Sequence, residues 1–294
     1  WVEAIEGLDV APSLFTFHDD CGTEQEFIAA TCTGTLKQTA PISTGEFAFL
    51  HSVASATPKI TLPSPSTLHF WRLDQTIAGS GYASAEAYLA DLIAIYRQEI
   101  AALYDLGCRY VQLDEVPLIM LANPENRARV TAFGSDPAKL RTLYIEALNQ
   151  TVAERPADMT AALHICRGNF KGKWLTEGGY DDIAEAVFQG VDVDGFFLEF
   201  DTQRAGGFEA LRHVPSGKKV VLGLVSSKIG QIEDPIVIRK RVEEAARYLP
   251  IESLSISPQC GFASTVAGNP ITEQHQIDKL AALVQLAEEI WGAG

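Results

Sequence analysis

Four side chains able to hold a metal stand at the ends of three apolar runs. In Leu163-His164-Ile165-Cys166-Arg167-Gly168-Asn169, a histidine and a cysteine sit two apart where the run 159–165 finishes. Side chains of a strand alternate between its faces, so His164 and Cys166 share one, about 7 Å apart along the chain. Phe196-Phe197-Leu198-Glu199-Phe200 sets a carboxylate into an otherwise apolar run, where an unpaired charge is costly to bury. Ser257-Pro258-Gln259-Cys260-Gly261 places a further cysteine just past the run 254–257. Imidazole and thiolate are good zinc ligands, and a carboxylate beside them is a displaceable one of the kind a catalytic site needs. By residue type alone a plainer arrangement also stands. His164 and Cys166 are then core residues, Glu199 is a salt-bridge partner and Cys260 a small buried hydrophobe.

A fourth run ends Gln112-Leu113-Asp114-Glu115. If the strand continues, the two carboxylates point to opposite sides and are no acid/base pair. Either one could take a substrate ammonium or orient a metal ligand; a helix cap and a solvated loop charge are the alternative. Other chemistries are not supported. Val214-Pro215-Ser216-Gly217-Lys218-Lys219 lacks the glycine spacing of a phosphate loop, and no strand–Gly–helix context surrounds Ala78-Gly79-Ser80-Gly81-Tyr82. The Gly-x-Ser-x-Gly elbow of serine hydrolases does not occur. His18, His51, His69, His213 and His275 show no ligand spacing.

Strand ends converge only on a scaffold that gathers them. Runs 59–62, 109–113, 159–165, 193–200, 220–225 and 254–257 are short and apolar, as buried parallel strands are. Between them, 85–106, 137–154, 180–189, 235–248 and 273–291 carry helical periodicity. Ser84 is placed to cap the first helix and Gly107 to stop it. Strand alternating with helix implies right-handed crossovers and a parallel sheet. Six such units are present, whereas a closed (β/α)8 TIM-type barrel has about eight. The choice is between an open doubly wound sheet and a barrel whose first units are not in this chain. The start at Trp1 rather than Met fits the second and predicts polypeptide upstream. Segments 13–18, 26–32 and 45–51 are short, β-branched or aromatic, and predict a small N-terminal β meander or hairpin elaboration. The expected organisation is one domain over 1–294, with a β-rich elaboration (1–56) on the βα units (57–294).

The balance of charge narrows the partners. A net charge of −15 argues against nucleic acid, whose phosphates demand clustered Lys and Arg, and equally against an anionic membrane surface. No apolar run nears the ~20 residues that cross a bilayer, and no signal pattern opens the chain. Cys21, Cys32, Cys108, Cys166 and Cys260 are odd in number and widely spaced, which predicts reduced thiols and a cytoplasmic protein.

Taken in order, Tyr110-Val111-Gln112-Leu113-Asp114-Glu115, His164-Ile165-Cys166, Phe197-Leu198-Glu199-Phe200 and Ser257-Pro258-Gln259-Cys260-Gly261-Phe262 resemble the cobalamin-independent methionine synthase family, in its catalytic barrel and short single-barrel relatives. The resemblance runs from about residue 57 to the C-terminus. It implies a catalytic zinc held by His164, Cys166, Glu199 and Cys260, with Glu199 leaving or lengthening as substrate sulfur enters. It implies that Asp114 holds the amino group of homocysteine, with Glu115 beside it, and that Trp71 contacts a folate pterin. The activity so implied is methyl transfer to the homocysteine thiol to form methionine, from a folate, a corrinoid or another small donor. A thiol alkyltransferase with another acceptor, such as coenzyme M, and a zinc-binding accessory subunit without turnover are the alternatives. The chain departs from the family in three ways. It lacks the Gly-Ser turn and Asp-Gly-Glu segment of the first strands, and it lacks the N-terminal barrel of the long enzymes. A family histidine is also missing from Gly223-Leu224-Val225-Ser226-Ser227-Lys228, where Lys228 lies nearest. The acidic chain is expected to bind a polyglutamate tail poorly unless Arg167, Lys171 and Lys173 face the mouth of the site.

Overall fold

A computed structural model describes residues 1–292. The expected strands form one six-stranded parallel sheet: β3 (Ile60–Pro63), β4 (Tyr110–Glu115), β5 (Thr160–Ile165), β6 (Gly195–Glu199), β7 (Lys219–Val225) and β8 (Leu254–Pro258), paired in chain order after an N-terminal hairpin. That hairpin is β1 (Ile5–Pro12) and β2 (Ile28–Gln38), antiparallel and bulged between Glu6 and Leu8. Its strands lie side by side in chain order with no reversal, unlike a doubly wound sheet, so the sheet is an arc of a barrel whose edges among the described residues are β3 and β8. Register sets Asp114 opposite His164, and His164 opposite Phe197, on three neighbouring strands.

The expected helices pack between these strands. In Ala85–Asp105, Leu89, Leu92, Ile93, Tyr96, Ile100 and Leu103 recur three and four apart and are buried. Ser84 Oγ accepts from the Ala87 amide at its start, and Gly107 takes φ +95° just past its end. Asp136 and Asp234 cap Pro137–Val152 and Pro235–Ala245 in the same way, each with proline in the first turn. No helix among the described residues is long and apolar enough to cross a membrane.

Alternation along the strands divides the labour. Val111, Leu113, Ala161, Leu163, Ile165, Phe196, Leu198, Val220 and Leu222 join the apolar core. Lys59, Thr61, Gln112, Asp114, His164, Phe197 and Ser257 instead line a cavity of about 980 Å³ on the other face.

The N-terminal segment has the expected small antiparallel element in the β1–β2 hairpin, but two of its three expected strands are not strands. Residues 44–53 form the helix Thr44–Val53, with Phe47 fully buried and Phe49 and Val53 exposed. Phe47, Phe49 and His51, spaced two apart, had the look of strand alternation. Glu99 fixes where that segment sits, accepting from the amides of Ile42 and Ser43. Segment 13–18 makes only isolated bridges, Phe17 to Gln25 and His18 to Trp174. The helix Pro124–Ala132, capped by Asn123, was not expected at all.

Candidate metal centre

His164 and Cys166 leave the end of β5, and Cys260 lies two residues beyond β8. The chain can reach across because β7 carries Gly223, where a Cβ would come within 2.8 Å of Gln259 Cα and 2.9 Å of Leu198 O. After Arg167, Gly168 (φ +88°) turns the chain beneath Phe17 and Leu175, a conformation and a closeness that exclude a side chain.

The three ligand-type atoms lie within 4.8 Å of one another. His164 Nδ1 is 3.2 Å from the carbonyl oxygen of Phe197, so that nitrogen donates and leaves Nε2 towards Cys260 Sγ at 3.4 Å. Orientation of a ligand imidazole by a backbone carbonyl is the usual arrangement in metal sites. Both cysteines are free thiols. Cys166 is held well below the ordinary thiol range, first by hydrogen bonding from Cys260 and then by the charge of His164; Cys260 is raised in return. Burial alone would lower His164, but the Cys166 thiolate with Asp114 and Glu199 carries it up to about 9. A buried cluster that attracts positive charge this strongly, through nitrogen and sulfur donors, suits a zinc-like cation.

Glu199 stands outside this trio. Its Oε2 accepts from the Arg167 amide at 2.7 Å, while its Oε1 faces Lys228 Nζ at 3.4 Å and Arg204 Nη2 at 3.5 Å. Burial would raise its pKa, yet Lys228 and Arg167 hold it below the ordinary carboxylate value. The Arg167 side chain is fully buried, bonded to the carbonyls of Gly178, Glu199 and Ala205, so it does not face the cavity mouth. Lys173 pairs with Asp19, leaving Lys171 as the exposed cation of that segment.

Asp114 lines the cavity and Glu115 does not. The Asp114 carboxyl is raised by burial and accepts from Gln112 Nε2 at 2.6 Å. Gln112 Oε1 in turn accepts from Lys59 Nζ at 2.6 Å. Glu115 points into the core, accepting from Ser66 and from the Leu118 amide at 2.7 Å, and burial pushes it up to about 7. Trp71 is buried on the cavity wall, edge-on to Phe27 at 5.5 Å. Phe17, Phe27 and Phe170 complete an aromatic rim that no motif announced; its only trace was the aromatic content of the N-terminal segments. Lys59 and the Arg167–Arg204 grip on Glu199 were also missed.

A family model described as the catalytic domain of cobalamin-independent synthases matches residues 48–289. The chain belongs to the cobalamin-independent methionine synthase family. Within Bacillus subtilis (strain 168), the uncharacterized family relative YxjG is 45% identical over 249 residues, covering 84% of this chain and 65% of its own length. The uncharacterized YxjH is 41% identical over 295 residues, covering 98% of this chain and 76% of its own. A crystal structure from Listeria monocytogenes, provisionally named a vitamin-B12-independent methionine synthase, superposes with TM-score 0.72 at 33% identity. That match covers 99% of this chain and 77% of the other.

Proposed function

We propose that the chain holds a zinc ion through His164, Cys166 and Cys260 and transfers a methyl group to the thiol of homocysteine. The observation that carries this reading is the convergence of one imidazole and two thiols from two separated strand ends, beside a cavity that Asp114 also lines. The metal, when bound, supplies a thiolate that stays nucleophilic at neutral pH, where a free thiol of pKa ~8.5 is mostly protonated.

The protein's own groups do the rest. Asp114, steadied by Gln112, offers a carboxylate oxygen to the acceptor's ammonium. The Phe197 carbonyl fixes the His164 tautomer. Trp71, Phe27 and Phe17 form an apolar wall against which a flat methyl donor can lie, restricting the direction from which its methyl carbon meets sulfur. The donor is a folate, a corrinoid-borne methyl or another small methyl compound. The test is zinc content of the purified chain together with methionine formed from homocysteine and each donor. A metal-free protein, or a zinc protein that methylates no thiol with any of them, refutes the proposal.

A further inference from the structure

We infer that Lys59 is a positioning residue for the acceptor: it grips the far end of the Gln112 amide, and that amide holds Asp114 with one carboxylate oxygen left for the substrate ammonium. The inference rests on the acceptor reading above and adds to it the groups that aim Asp114. Lys59 stands just before β3, and register puts Thr61, two residues on, beside Gln112. Lys59, Thr61, Gln112 and Asp114 therefore share the cavity face. The Lys59 ammonium lies 3.8 Å from the centre of the Phe197 ring and donates to Gln112 Oε1 at 2.6 Å. Gln112 Nε2 then donates to Asp114 Oδ1, also at 2.6 Å.

Residue type fixes the direction of this relay. An ammonium only donates, so the amide must turn its oxygen to Lys59 and its nitrogen to Asp114. A carboxylate alone would select the same orientation, but an amide held at one end is free to swing away about its side-chain torsions. Held at both ends it is not, and both bonds are charge-assisted. Packing alone does not account for the lysine. Lys279, a buried structural lysine, pairs with Glu233 at 2.9 Å. Lys59 makes no ion pair among the described residues, and burial works against its charge. An uncompensated cation on a cavity wall costs stability, and its effect here is to aim Asp114.

The experiment titrates the zinc-loaded full chain by calorimetry with homocysteine and with γ-mercaptobutanoate, the same thiol acid without its amino group. Lys59→Met should weaken homocysteine about tenfold, the worth of one charge-assisted hydrogen bond, and leave γ-mercaptobutanoate within about twofold of wild type. Gln112→Leu should do the same, and Lys59→Met/Gln112→Leu should lose no more than either, because the two side chains act as one unit. Lys59→Arg keeps a donor in reach and should bind homocysteine within about threefold of wild type. Equal weakening of both thiols overturns the inference, since a general loss of structure, or a direct bond from Lys59 to the carboxylate that both share, would give it. So do losses that add in the double variant, or an arginine variant as weak as the methionine one. Even if Lys59→Met fails to fold, Gln112→Leu without an ammonium-selective loss overturns it. A wild type that binds both thiols equally, or neither, defeats the acceptor reading itself, before any variant is compared.

Discussion

Replacing Lys59 by methionine is expected to stabilise the protein at neutral pH and destabilise it in base. The Lys59 ammonium lies 3.8 Å from the Phe197 ring centre and bonds to Gln112, on the cavity face of the sheet. Burial pushes its pKa from 10.5 down to about 8, with Asp114 opposing. Between those values the unfolded chain holds a proton that the folded chain has released, so this group makes stability rise with pH across the window. Below pH 8 the folded state carries the whole cost of the buried charge, ~3 kcal/mol at about 1.4 kcal/mol per pKa unit. Methionine has similar reach and no charge, and forfeits one hydrogen bond worth ~1 kcal/mol. The variant should therefore be more stable by ~2 kcal/mol at pH 7, and less stable by ~1 kcal/mol once Lys59 is neutral in both states. Urea unfolding of both proteins at a series of pH values through the window reads the difference directly, since every other titrating group cancels. A difference that does not change with pH, or a variant already weaker at pH 7, would refute the reasoning.

Three further outcomes are expected. His164→Ala and Cys166→Ala should lose zinc, measured by elemental analysis, and with it activity, while circular dichroism stays native. Asp114→Asn should raise KM for homocysteine far more than it lowers kcat and leave zinc content unchanged; an unaltered KM would remove Asp114 from the acceptor site. Tyr180→Phe should cost ~2 kcal/mol in urea unfolding, because the Glu199 amide, 2.9 Å from the Tyr180 hydroxyl, loses its buried acceptor. A cost under ~0.5 kcal/mol would mean that water or a backbone shift replaces it.

The strands of the arc were legible because a buried parallel strand reads as a short apolar run, nearly continuous in β5, β6 and β7 and broken by single polar residues in β3, β4 and β8. His164, Cys166 and Cys260 were legible because few residue types serve soft metals and each follows such a run. What surrounds Glu199 was not. Arg204 and Lys228 arrive from loops after β6 and β7, and Arg167 reads in sequence as a surface charge, whereas it is fully buried. Alternation told that Asp114 and Glu115 diverge; only the fold tells which one meets the cavity. Residues 44–53 failed for a different reason. Their aromatics satisfied a two-residue period by chance, and the contact that decides the matter comes from Glu99, over forty residues away.

The meeting of Cys166 with Cys260 also has a mechanical side. Three inter-strand intervals separate β5 from β8, which on a flat sheet would place their ends ~14 Å apart. Here the ligand atoms stand within 4.8 Å, a span closed by the bend of the sheet together with the loop after β8 and the reach of the side chains. A cation bound there would act as a chord across an arc, converting chemical affinity into tension that holds the curve. Withdrawing it should let the arc spring open a little, and the amides of β6 and β7, which lie under the chord, should exchange hydrogen sooner than those of β3 and β4.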